Sequence, residues 1–95
     1  MPNLTIGPDQ FVTAEYRLRR KGFVDLNLEA SHRVKTYLLS RASLQRFMNG
    51  QRNFPYWGGF PDPRALQEQR VWVPASGPLY LIISNPNKQI GRAHV

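Results

Sequence analysis

Turn-forming residues recur along this chain and cut it into short pieces. Gly7-Pro8, Lys21-Gly22, Asn49-Gly50, Gly58-Gly59, Pro61 to Pro63, Pro74 to Pro78 and Asn85-Pro86-Asn87 are the breaks. Segments between such breaks favour strands joined by turns over long helices. Side-chain alternation points the same way. Val12, Ala14, Tyr16 and Leu18 alternate with Thr13, Glu15, Arg17 and Arg19, the pattern of a half-buried strand. Val24, Leu26 and Leu28 alternate with Asp25, Asn27 and Glu29 just beyond Lys21-Gly22, so the two segments read as a hairpin.

Ser31-His32 reads as the next turn, and Val34 to Leu39 as a strand without clean alternation. Ser43 reads as the N-cap of a short helical turn over Leu44 to Met48, stopped by Asn49-Gly50. Residues 50–65 form a connection too long for a simple link. Gln67 to Val73 is a strand, Pro74 to Gly77 a turn, and Leu79 to Ser84 a strand apolar on both faces, which places it centrally. A last strand runs over 89–95. The expected fold class is all-β: an antiparallel β-sandwich, GOLD-like or jelly-roll-like, of about six to seven strands with one short helical turn. A single domain covers 1–95, with 1–9 as an N-terminal extension or edge strand.

The block from Val71 to Ile83, a strand, a Pro-x-x-Gly turn and a strand opening on an aromatic, resembles the C-terminal half of GOLD-type β-sandwich modules. Further motifs resemble a bacterial family of small GOLD-like domains of unknown function. These are Tyr37-Leu38-Leu39, Arg46-Phe47, Tyr56-Trp57-Gly58-Gly59, the Val-Pro-x-x-Gly-x-x-Tyr hairpin and Gly91-Arg92-Ala93, over residues 10–95. Members of that family are sometimes fused to TIR-type signalling domains, so the resemblance implies a role in recognition. The chain departs from the pattern at Ser40, where an acidic residue is expected.

Composition narrows the function classes. The chain has no cysteine, which excludes disulfides and thiolate metal sites and favours a cytoplasmic protein. Residues 1–9 lack the basic and apolar regions of a signal peptide, and no apolar run reaches the ~18 residues of a membrane span. His32 and His94 have no carboxylate cluster beside them, and catalytic motifs are absent, so no enzyme, metal or cofactor is expected.

Thirteen Lys and Arg against six Asp and Glu give a net charge of +7, which favours acidic partners. Arg17, Arg19, Arg20 and Lys21 cluster on the expected hairpin and are candidate anion contacts. The preferred reading of them is a solvated face that discourages edge-to-edge association. The loop supplies the candidate partner-binding residues Arg52, Phe54, Tyr56, Trp57 and Phe60, whose rings can stack on a peptide, a base or a sugar. The competing reading folds Phe54 and Trp57 back onto the core. Trp72, out of phase with Val71 and Val73, lies on the second face of its strand and is either a cross-sheet core residue, the preferred reading, or an exposed platform. The functional expectation is a non-catalytic module for an unidentified protein partner. The alternative is a nucleic-acid-binding domain, on a barrel of the oligonucleotide-binding type.

Overall fold

The computed structural model describes residues 3–88 and 91–94. In chain order the elements are β1 (Asn3–Ile6), β2 (Phe11–Leu18), β3 (Gly22–Leu39), α1 (Arg41–Met48), β4 (Arg64–Val73), β5 (Gly77–Ser84) and β6 (Gly91–His94). Of the closing strand expected over 89–95, residues 89, 90 and 95 lie outside the described residues, as do 1 and 2. Every strand pair is antiparallel. The fold is the expected antiparallel β-sandwich, six strands curled towards a barrel with one short helix.

One strand organises the sandwich. β3 is 18 residues long, and its even-numbered residues Val24, Leu26, Leu28, Ala30, Val34, Thr36 and Leu38 turn inward. Its first half pairs with β4, from Gly22↔Val73 to Glu29↔Leu66, and touches β6 at Glu29 and Ala30. Its second half pairs with β5, from Lys35↔Ser84 to Leu39↔Tyr80. The first sheet is therefore β4, β3, β6 and β1, and the second is β3, β5 and β2. Between them lie Ile6, Leu26, Leu28, Val71, Leu81 and Ile83, among others, all nearly inaccessible to solvent.

Three local expectations are corrected, two of them in the strands. Ser31-His32 is not a turn: β3 runs through it with a register shift between Glu29 and Val34. Neither residue forces a reversal, and the Ser31 hydroxyl accepts the Arg92 N–H at 2.9 Å. Nor do β2 and β3 form a hairpin. Leu18 pairs with Gly77 of β5 while Gly22 pairs with Val73 of β4, so residues 19–21 carry the chain from one sheet to the other. The connection Arg19-Arg20-Lys21 lacks the Asn-Gly or Asp-Gly pair that a tight hairpin turn demands.

The helix cap lies three residues before its expected position. Ser40 is the N-cap, its hydroxyl accepting the Ser43 N–H at 3.3 Å. An acidic side chain at this position would make the same kind of bond, a physical reason for one residue to stand in for the other. Beyond the Asn49 C-cap, Gly50 takes the left-handed conformation (φ 77°) that closes many helices. α1 packs on the outer face of the second sheet against β5, which explains why β5 is apolar on both sides.

Candidate functional site

The connection between α1 and β4 behaves as two pieces. Its second piece is an extra rung of sheet. Trp57 and Gly58 donate their N–H groups to the Leu38 carbonyl at 2.8 and 3.3 Å, and the Leu38 N–H donates to the Gly58 carbonyl at 2.8 Å. Thr36 donates its N–H to the Phe60 carbonyl at 3.1 Å and accepts the Phe60 N–H on its hydroxyl at 3.0 Å. That hydroxyl donates to the Gln67 side-chain oxygen at 2.6 Å, and the Gln67 amide donates to the Val34 and Arg64 carbonyls. Thr36 and Gln67 are fully buried, so this network locks the end of the loop to β3.

The two glycines serve this approach. Gly59 sits at φ 117°, and a Cβ there would collide with the Thr36 carbonyl. At Gly58 a Cβ would strike Val71. Their bareness lets the loop lie against the protein's own backbone, not against a partner's.

The first piece carries rings. Tyr37 lies edge-on to Phe54 at 5.2 Å and to Tyr56 at 5.3 Å, and Phe47 of the helix is edge-on to Phe11 at 4.8 Å and to Phe54 at 5.7 Å. Burial pushes the Tyr37 phenol above its ordinary pKa, and neighbouring Tyr56 adds to the effect. Of the loop residues singled out from sequence, Phe54 is half-buried in this cluster. Trp57 and Phe60 pack against the main core, with Arg64 over the Phe60 ring at 5.0 Å. Tyr56, 44% exposed, and Arg52 remain open to solvent.

A second surface was not legible as a site. On the outer face of the first sheet, Phe23 and Trp72 are cross-strand partners with rings 5.0 Å apart, edge to face. They are 66% and 50% exposed, so Trp72 is not a core residue. Along the same face comes the next pair, Asp25 and Arg70, joined at 3.0 Å, with the Arg70 guanidinium 5.9 Å from the Phe23 ring. The hydrogen bond and charge of Arg70 hold the Asp25 carboxyl below the usual carboxylate range. Leu66 stands 59% exposed opposite Glu29. The signal in the sequence was an aromatic in the polar phase of an alternating strand, at Phe23 and again at Trp72.

Arg17, Arg19, Arg20 and Lys21 are all exposed at the end of the molecule that carries this ring pair. Of the four, Arg17 lines a cavity of about 300 Å³ between β2 and the start of β3, together with Tyr16, Leu26 and Leu81 among others. Among the described residues no three His, Asp or Glu side chains gather as a metal site, and no helix is long and apolar enough to cross a membrane.

The chain matches no family model, no curated protein and no solved structure, so the resemblance drawn over residues 10–95 remains an expectation.

Proposed function

We propose that this chain is a non-catalytic binding module that engages a protein partner through the bare outer face of β3 and β4. One observation carries the reading: Phe23, Trp72 and Leu66 are large, apolar and more than half exposed or close to it, on a sheet face that neither α1 nor the long loop covers. Exposed aromatics spaced among charged pairs are the composition of a protein interface, where a few rings supply most of the affinity. Tyr56 and Arg52, on the opposite side of the sandwich, are what the loop offers a partner once Phe54, Trp57 and Phe60 are spent on packing.

The test is capture from nuclease-treated lysate by the chain and by a Phe23→Ser, Trp72→Ser double variant. A protein retained by the first and lost by the second, with the fold intact by circular dichroism, supports the reading. Equal capture by both sinks it. A second reading is favoured by one fact, the nearness of Arg17, Arg19, Arg20 and Lys21 to the ring pair. Rings with adjacent cations are how single-stranded nucleic acids are held. Retention on single-stranded DNA that falls steeply with salt would select that reading instead.

A further inference from the structure

We propose that the gap between β2 and β3 is a docking site for an extended acidic peptide, which adds as a strand to the free edge of β2. Strands joined by three residues ordinarily pair, yet among the described residues β2 pairs with β5 alone and no ladder joins it to β3. The cavity of about 300 Å³ lies between them, lined by residues 16–18 of one strand and 24–27 of the other. Consecutive residues of a strand point to opposite faces. A cavity lined by whole runs of them therefore abuts the strand edges themselves.

An edge strand directs half of its backbone N–H and C=O groups away from its single partner, a template for another strand. Beneath this edge lies an apolar floor of Leu26, Leu38, Leu79 and Leu81, all buried. Tyr16 belongs to the inward phase of β2, with Val12, Ala14 and Leu18, and is nonetheless 41% exposed because it faces the cavity. The volume is at the low end for small-molecule pockets, roughly 300–1,000 Å³, and suits the alternate side chains of a strand.

Charge selects the occupant. Arg17 lines the cavity, Arg19, Arg20 and Lys21 form the exposed link from β2 to β3, and none of the four forms an ion pair among the described residues. The one carboxylate in the lining, Asp25, is already held by Arg70. A second copy of this chain would bring the same basic cluster and another +7 against the first. A segment of opposite charge meets no such repulsion. Antiparallel addition to β2 sets the peptide's N-terminal end beside the basic residues, so its acidic residues belong there.

The probe is a synthetic eight-residue peptide, Asp-Asp-Val-Ser-Val-Thr-Val-Ser, titrated into the isotope-labelled chain and followed by NMR. The expected result is shift changes and slowed amide exchange over residues 12–18 and 22–28, with the Trp72 indole unmoved. Replacing the two Asp by Lys, or Arg17 and Lys21 by Glu, should weaken binding about tenfold. Trp72→Ala should leave it unchanged, which separates this site from the face proposed above. No shifts at millimolar peptide, shifts confined to the Phe23–Trp72 face, or equal binding by the Lys peptide would each overturn the proposal. So would occupation of the same amides by oligothymidylate when the peptide fails.

Discussion

Tyr37, on the outer face of the second sheet, stands among Phe47, Phe54 and Tyr56 beneath α1 and the loop. Phe23 and Trp72, on the outer face of the first sheet, lie against each other with Arg70 alongside and stay open to water. Both faces carry aromatic rings on odd-numbered positions of the same strand, β3. What separates them is the path of the chain's longest excursion, residues 40–63, which crosses the second face and leaves the first bare. Side-chain type therefore does not decide whether an outward aromatic is a packing residue; the route of the chain does. The covered rings contribute to stability, and the bare ones are available to a partner.

The largest effect expected from breaking this contrast comes from the anchor of the cover. Gly59→Ala forces a side chain into φ 117° and against the Thr36 carbonyl, so about 3 kcal/mol of stability should be lost in urea unfolding. A midpoint close to that of the unmodified chain would mean that the loop is not held by this contact.

Next comes a matched pair. Phe54→Ala removes a half-buried ring from the cluster and should cost about 2 kcal/mol, below the range for a full core deletion. Trp72→Ala removes a larger ring from the bare face and should stay within about 0.5 kcal/mol. Equal losses would erase the distinction between the two faces.

The smallest effect is electrostatic. Arg70 lowers the Asp25 pKa through its hydrogen bond first and its charge second. The pairing therefore stabilises the chain above the carboxyl's unfolded pKa, about 3.9, and that gain is lost as pH falls through the lower folded value. Both side chains are exposed to solvent, so the trace is best sought by NMR titration. The Asp25 carboxyl should titrate below an ordinary aspartate, and return towards it in Arg70→Gln. An unchanged titration would show that solvent screens the pair completely.

The fold class was legible because alternation and turn residues act locally. Val24, Leu26 and Leu28 declare a strand and an inner face wherever the chain later goes. Pairing was not legible, because a short link such as Arg19-Arg20-Lys21 can either fold a strand back onto its neighbour or pass it to the facing sheet. The choice rests on contacts remote in sequence, Leu18 with Gly77 and Gly22 with Val73. The loop showed its rings but not their uses. Phe54, Trp57 and Tyr56 look alike in sequence, and the buried Thr36–Gln67 hydrogen bond helps to determine how the loop lies. Trp72 was misplaced because an aromatic between two valines reads as core when the second face of its strand is taken to be covered.

The single strand that belongs to both sheets has a consequence for how the molecule is assembled over time. Neither layer can be completed without β3, and β3 cannot be held at one end without presenting its other end to the remaining strands. Its partners β4, β5 and β6 come only after residues 40–63, and the strands that precede it join the sheets through those partners, β1 through β6 and β2 through β5. Loops that long must close before the contacts that reward them exist, which slows folding relative to proteins built from neighbouring hairpins. For the same reason no layer is an independent unit, so amides of β4 and β5 should exchange with solvent through one common opening, with the ends of β1 and β6 fraying earlier. The cooperativity of the whole molecule would then rest on the continuity of the backbone at Ser31 and His32, where the register shifts without the strand ending.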